Sequence, residues 1–320
     1  MNRPSAEGGT GTGEGVLAPG LANVLAVVVT YNPGDDLAWN LAALRDQVDQ
    51  VVVIDNGSAN HAAIARTAAA AGCEYLGNLQ NLGIGAALSQ AARLALDRGA
   101  DWLAMFDQDS LAPPGGLVGL LRLFDRHPQR ARIAVLAMSH RDRVTAGDYH
   151  HGRDVVEASG DWRSVRTTIT SGSLVRTAVF GEVGLFDEAL FIDSVDHDFC
   201  LRCRSRGYLI IEGRDQVMQH SLGAITTHEL LGRRVTCGNY NAIRRYYITR
   251  NTLEVARRFA FSETGWAALS VVYLLVDSLM VLLYESQRPA KLAAMAWGLV
   301  DFLTRRFGPR SIWSQSSPTR

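Results

Sequence analysis

The sequence predicts an α/β fold in which helices cover a mostly parallel sheet. Two observations predict it. Unbroken apolar, β-branched runs recur along the N-terminal half, the pattern of strands buried on both faces. Between them lie amphipathic or Ala-rich stretches of helical length joined by short connections, so strand and helix alternate.

Val24–Thr30 is the first run, and the turn residues Tyr31 to Gly34 break it before an amphipathic stretch from Asp35 to Gln47. Val51–Ile54 is the second, ending in Asp55, Asn56, Gly57 and Ser58. Helix His61–Ala71, short strand Cys73–Leu76 and helix Gly85–Arg98 follow, and strand Trp102–Phe106 closes the series. Ligands of such sheets bind outside the carboxyl ends of the strands. Thr30 and Tyr31, Asp55 and Asn56, and the Asp107-Gln108-Asp109 triplet all fall at such ends.

The second half predicts helix Pro114–Arg126, strand Ile133–Ala137 and a long irregular stretch from Ser139 to Trp162. Strand Thr167–Thr170, helix Leu174–Phe180, helix Asp196–Arg206, strand Tyr208–Ile211 and the segment Val217–His220 complete the domain. Tyr240–Phe259 reads as a helix with a basic face of Arg244, Arg245, Arg250, Arg257 and Arg258. Gly265 to Tyr284 is strongly apolar and about 20 residues long, near the minimum for a spanning helix. Asp277 in its middle counts against crossing a bilayer. Lys291–Phe307 is amphipathic, a pattern suited to a membrane interface or to packing on protein. Peripheral membrane contact and homo-oligomerisation both stay open.

A chain of 320 residues with 47% hydrophobic content buries a large core, while 32 basic and 32 acidic residues cancel. That balance argues against a nucleic-acid partner held by a strongly basic surface. Met1 to Gly20 lacks the apolar segment of a secretory signal and is rich in Gly, Ser, Thr and Pro, the composition of a disordered tail. Cys200 and Cys203 are close, but no second pair completes a zinc site, and nothing suggests a disulfide framework, so a cytoplasmic setting is expected.

Two carboxylates one residue apart at a strand end, Asp107 and Asp109, can hold a hard divalent cation with diphosphate oxygens. Asp55 can accept from a nucleoside or close an Asp-Asn-Gly turn, and both can hold at once. Asn81, Gly83 and Gly85 precede a helix, where glycines admit a ligand close to the backbone. A dinucleotide fingerprint needs Gly or Ala where Leu88 stands, and it belongs at the first strand, which disfavours an NAD-dependent oxidoreductase. Asp193, Asp196 and Asp198 lead into a helix. Asp196 is the first choice for a base that takes a hydroxyl proton and Asp193 the second, with helix capping as the alternative.

Taken in order, these blocks resemble the family-2 glycosyltransferases of GT-A fold, a Rossmann-like α/β architecture, here with a C-terminal helical extension. The matching pieces are VVVTYN from Val27, VVVIDNGS from Val51, NLGIGAA from Asn81, FDQDS from Phe106, SGSLV from Ser171, GLFDEALFIDSVDHDFCLR from Gly184, and HSLG from His220. FDQDS, FIDSVDHDFC and YYITRN look like the rhamnosyltransferase branch, which typically uses dTDP-L-rhamnose to build bacterial cell-surface polysaccharides.

The resemblance implies a nucleotide-binding half over 23–110, an acceptor half over 111–225, a tail over 1–22 and a helical region over 226–320. It implies a nucleotide-sugar site of Thr30, Tyr31, Asn32, Asp55, Asn56, Asn81, Gly83, Asp107 and Gln108, with Arg250 assisting the diphosphate. Asp109 and His220 would ligate Mg²⁺ or Mn²⁺, and Asp196 would be the base. Val195 stands where many relatives carry Glu, which removes one acidic acceptor contact. The implied reaction is a single inverting displacement yielding an α-rhamnoside on a glycan or lipid-linked acceptor, at the inner face of the cell membrane. Another donor (hexose or galactofuranose) and a non-catalytic nucleotide-sugar-binding scaffold are the competing readings.

Overall fold

A computed structural model describes residues 23–142, 154–220, 226–230 and 233–310. The N-terminal strands β1 (Val24–Thr30), β2 (Gln50–Asp55), β3 (Glu74–Gly77) and β4 (Trp102–Asp107) are parallel, in the order β3-β2-β1-β4. Helices α1 (Leu37–Arg45), α2 (His61–Ala70) and α3 (Ile84–Asp97) connect them. Every residue of β1 is buried, and its side chains alternate between two apolar layers. Leu25, Val27 and Val29 pack with Ala87, Leu88, Ala91 and Ala95 of α3. Val24, Ala26 and Val28 pack on the opposite face with Leu37, Leu41 and Leu44 of α1. A strand covered on both faces has no room for polar residues until its tip, which is where the chemistry-bearing side chains appear.

Beyond β4 the sheet becomes mixed. After α4 (Gly116–Arg126) come β5 (Ile133–Asp142), β6 (Val155–Ser159), β7 (Trp162–Val165) and β8 (Ser173–Arg176), then α5 (Val179–Val183), α6 (Val195–Ser205) and β9 (Leu209–His220). The order continues β4-β8-β5-β9-β7-β6, with β8 antiparallel to both β4 and β5 and β5 parallel to β9. Four expectations are corrected here. Thr167–Thr170 is not a strand, and the segment expected as helix Leu174–Phe180 supplies the central strand β8 before the short α5. Leu174 and Val175 are buried on opposite faces of the sheet, in separate apolar layers, which a helix start could not achieve. Part of the expected irregular stretch is ordered as the end of β5 and the hairpin strand β6, while 143–153 lies outside the described residues. Finally, β9 runs unbroken, absorbing Arg214 to Gln216 as a bulge opposite Met138 and Ser139.

A hairpin of β10 (Thr226–Leu230) and β11 (Arg233–Cys237) leads to three helices, α7 (Ala242–Arg258), α8 (Thr264–Tyr284) and α9 (Arg288–Leu303). Asn241 caps α7 by accepting from the Arg244 N–H at 2.8 Å. The α8 helix is long and apolar enough to cross a membrane by length and composition, yet only 22% of its apolar window is buried in the protein. Its inward side carries Asp277, which ion-pairs with the fully buried Arg245 of α7. Arg245 also pairs with Glu285, and Lys291 of α9 reaches the other Glu285 oxygen at 2.7 Å. This chain of opposite charges fastens α8 and α9 to α7, while Val272, Leu275, Val276, Leu279, Leu282 and Leu283 face outward.

Candidate active site

Three strand tips meet on one edge of the sheet. Thr30 aligns with Asp55 on one side, and its neighbour Val29 aligns with Asp107 on the other. Asp55 and Asp107 therefore flank β1, roughly 10 Å apart by strand spacing. The crevice between β1 and β4 is where strand order reverses, the usual ligand position of such sheets.

The tips are cross-braced. Tyr31 donates its N–H to the Gln108 side chain at 2.7 Å, and the Gln108 carbonyl accepts from Asn40. Asn32, in the left-handed region at φ 48°, donates its N–H to Ser58 Oγ and accepts from the Ala59 N–H at 2.9 Å. Asp55 is fully buried and both its oxygens are engaged, one by the Ser58 N–H and hydroxyl, the other by the Tyr75 hydroxyl at 2.9 Å. Its turn-forming bonds thus occupy the carboxylate, and burial together with that bond pushes Tyr75 up to about 12. Thr30 is also buried, but its hydroxyl has no partner, leaving an unused polar group at the end of β1. Asn56 donates to Asn81 at 3.1 Å and accepts from the Leu82 N–H, and Asn81 accepts from the Gly83 N–H at 2.8 Å. Gly83 has φ 87°, and an added Cβ would lie 2.5 Å from the Phe191 carbonyl oxygen. The glycine loop is therefore pressed against the loop that carries Asp193.

Asp107 is positioned by its N–H, which donates to Ser171 Oγ at 3.0 Å, and Ser171 in turn donates to Ser110. Burial, then the like charges of Asp109 and Asp196, push Asp107 up to about 7, with the Arg244 guanidinium pulling the other way. That coupling brings the β4 tip and the start of α6 into one electrostatic neighbourhood, with Asp109 exposed at its rim. Burial also pushes Asp193 up, while Arg244 holds its carboxylate at 3.0–3.3 Å and pulls it back.

The loop before α6 is held under backbone strain. Phe191, Asp193 and Ser194 all have φ between 63° and 66° without a glycine among them. Asn251, fully buried, donates to the carbonyls of Leu190, Ile192 and Asp193 at 2.7–3.0 Å. Arg250 is 1% exposed, and its donors go to Asn251, Tyr246 and the carbonyls of Gly308, Ala189 and Leu190. Arg250, expected to assist the diphosphate, buttresses the strained loop in this structure, and Arg244 is the guanidinium beside Asp107 and Asp193. Sequence reasoning named Arg244 only as part of the basic helix face and held Asn251 only within YYITRN, and it gave neither a role at the site. Asp198 pairs with Arg202 and Arg258 inside the fold, a structural role. The His220 side chain lies outside what the structure describes, as do Ser221 to Gly223. Burial pushes the Cys203 thiol up to about 12.

Among the described residues no three His, Cys, Asp or Glu side chains converge as a ligand set. The chemistry of Asp107 and Asp109 nevertheless fits a hard cation, because one or two carboxylates plus substrate oxygens is a usual Mg²⁺ donor set. Burial, and after it the charges of Asp109 and Asp196, raise the proton affinity of Asp107, and a bound cation would favour its ionised form.

The Glycosyl transferase family 2 profile matches residues 25–183, the span that holds the β1, β2 and β4 tips. The dTDP-rhamnosyl transferase RfbF of Shigella flexneri is 31% identical over 246 residues, 74% of this chain and 81% of that protein. An N-acetylglucosaminyl-diphospho-decaprenol L-rhamnosyltransferase of Mycobacterium tuberculosis is 27% identical, covering 60% of this chain and 74% of its own. Among solved structures, S. aureus TarS 1-349 in complex with UDP-GlcNAc superimposes with a TM-score of 0.59 at 15% identity, covering 89% of this chain and 81% of that one. The chain belongs to glycosyl transferase family 2, and its fold is GT-A.

Proposed function

We propose that this glycosyltransferase moves L-rhamnose from dTDP-L-rhamnose to a hydroxyl of a glycan or lipid-linked acceptor, with inversion at the anomeric carbon. The observation that carries the reading is that Asp107, at the strand-order reversal, feels the negative charges of both Asp109 and Asp196. The donor sugar is taken from the names of the two rhamnosyltransferase relatives.

In this reading Asp196 takes the proton of the acceptor hydroxyl, whose oxygen bonds to the anomeric carbon. The bond from that carbon to the diphosphate breaks, and dTDP leaves with the electron pair. Asp193, held by Arg244, stands as the second carboxylate of the loop. Thr30, Tyr31, Asn32, Asp55, Asn56, Asn81, Gly83 and Gln108 frame the nucleotide side. Asp107 and Asp109, with His220, would hold Mg²⁺ or Mn²⁺, and a bound ion neutralises charge on the leaving diphosphate.

A galactofuranosyl donor is the second reading. Galactofuranosyltransferase GlfT1 of M. tuberculosis is 26% identical, and this chain spans 60% of its length. Incubating the protein and Mg²⁺ with dTDP-L-rhamnose, UDP-galactofuranose and UDP-hexoses, and measuring nucleotide release, separates the two. Release from the rhamnose donor alone is expected; release only from the galactofuranose donor overturns the assignment.

The outward face of α8 supports peripheral contact with the inner face of the cell membrane, with exposed Arg288 at the start of α9 and Arg306 just beyond its end supplying cations for anionic lipid.

A further inference from the structure

The segment after α9, Thr304 to Arg310, does not leave the protein. Arg305 takes the left-handed region at φ 60°, and the Arg306 N–H returns to the Asp301 carbonyl at 2.8 Å, a turn that ends the helix and redirects the chain. From there the segment runs back along α7, one helical turn after another. Arg305 pairs with the buried Glu254, the Gly308 carbonyl accepts from Arg250 at 2.8 Å, and the Arg310 N–H donates to the Tyr247 hydroxyl at 3.0 Å. The far end is fastened to α9. Arg310 ion-pairs with Asp301, and its guanidinium lies 4.7 Å from the Trp297 ring centroid and 5.1 Å from that of Tyr246.

Two contacts join this segment to the strained loop before α6. The Gly308 N–H donates to the Ala189 carbonyl at 2.7 Å, a closer approach than the 3.3 Å of Arg250 to the same oxygen. Gly308 therefore bonds the loop with one face of its backbone and α7 with the other, at φ 91°, which favours glycine. Tyr247, whose hydroxyl receives the Arg310 N–H, stacks its ring on that of Phe191 with centroids 5.1 Å apart and planes at 24°. Phe191 is the first of the loop's three non-glycine residues at positive φ, and Asp196 follows the last of them by two positions. Such a backbone is kept only by bonds from outside it.

We propose that residues 304–310 form a strap that sets the loop before α6 in its reactive geometry, with Gly308 and Tyr247 as positioning residues for Asp196. The inference rests on the transferase reading above and adds the residues that hold its base from α9. Neither residue meets the substrate; each acts through the backbone of Ala189 to Phe191. A displacement of about 1 Å at a reacting group can cost on the order of 10² in rate, so a small slip of the strap is enough to register.

The test uses the full chain with three substitutions. Gly308→Ala strains the strap at its contact, Gly308→Asn strains it less because Asn tolerates positive φ better, and Tyr247→Phe removes the hydroxyl while keeping the ring on Phe191. With Mg²⁺ and dTDP-L-rhamnose, kcat for nucleotide release is expected to fall tenfold or more in Gly308→Ala, less in Gly308→Asn and severalfold in Tyr247→Phe. Affinity for dTDP should stay within twofold in all three. Hydrogen exchange over residues 187–196 should quicken in the same order, a readout that needs no turnover. Unchanged exchange in that segment overturns the strap. Quickened exchange with unchanged kcat overturns its part in the reaction, and a parallel loss of kcat and dTDP affinity does the same by making the segment a support of the whole domain. A wild-type protein that neither binds dTDP nor consumes dTDP-L-rhamnose overturns the donor reading instead, while the exchange measurement still decides the strap.

Discussion

The Asn251 amide holds the backbone of Asp193, donating from Nδ2 to its carbonyl oxygen at 3.0 Å. The same nitrogen serves the Leu190 and Ile192 carbonyls, while its Oδ1 accepts from Arg250 Nε at 2.9 Å. A loop with three non-glycine residues in the left-handed region persists only when its surroundings over-determine it. Asn251→Ala removes this donor from the Ile192 and Asp193 carbonyls, while Arg250 still reaches that of Leu190, at a cost of about 1–3 kcal/mol. Turnover is expected to fall at least tenfold while dTDP affinity holds, which steady-state kinetics beside a binding titration would register. Equal kcat in mutant and wild type would remove Asn251 from any part in presenting the loop.

Asp196→Asn keeps the shape of the side chain and removes the proton acceptor. Transfer should drop by roughly 10²–10⁴, the usual contribution of a general base. Donor binding should persist. Full activity in this variant would rule out Asp196 as the base.

Crowded carboxylates give the protein a pH signature. Asp107 sits at about 7 against an ordinary value near 3.8, because burial and the charges of Asp109 and Asp196 penalise its ionised form. Between those values the folded state binds more protons than the unfolded one, so this group lowers stability as pH rises from about 4 to 7. Thermal unfolding without divalent ions should show that decline, and Asp107→Asn should flatten it. Added Mg²⁺ should raise the melting temperature more at pH 8 than at pH 5, and more in wild type than in Asp109→Asn.

Glu254 carries the reverse dependence. Its side chain is fully buried and is met by Arg257, Arg258 and Arg305. Burial alone would raise its pKa, but the three guanidinium bonds outweigh that and hold it at about 2. The resulting stability is present in full above about 4.5 and is lost as pH falls through about 2. The shift corresponds to ~3 kcal/mol, so Glu254→Gln should unfold at clearly lower temperature at pH 7 and at nearly the wild-type temperature near pH 2.

The outward side of α8 can be tested with lipid directly. Leu275→Glu with Leu279→Glu places two charges on exposed positions of that face. Flotation with vesicles containing anionic lipid should fall severalfold for this variant, with donor hydrolysis retained. Equal flotation, or none for the wild type, removes the lipid assignment; a second copy on that face would appear in sedimentation.

The parallel half of the fold was legible because β1, β2 and β4 are apolar on both faces, and only their tips carry polar residues. The same contrast marked Asp107 and Asp109. What escaped had no such contrast. Four residues of β8 are too few to show a period, and Leu174 and Val175 suit helix and strand alike. Arg244 and Arg250 stand six residues apart, about 120° around a helix, and both read as basic-face residues. Only packing decides that Arg250 is sealed under the loop while Arg244 acts on Asp107. The strained backbone from Phe191 to Ser194 left no trace either, since no glycine announces it.

A Cβ added at Gly83 would lie 2.5 Å from the Phe191 carbonyl oxygen, and one added at Gly85 would lie 2.6 Å from that of Asp187. Hybrid enzymes made by exchanging N-terminal halves between relatives would cut through this seam if joined anywhere between the two loops. Crossovers placed after Ser205, at the end of α6, keep both sides of the contact and Asp196 from one parent. A donor preference transplanted that way should travel with its own base loop, and the recipient would contribute β9 to β11 and the helices α7 to α9.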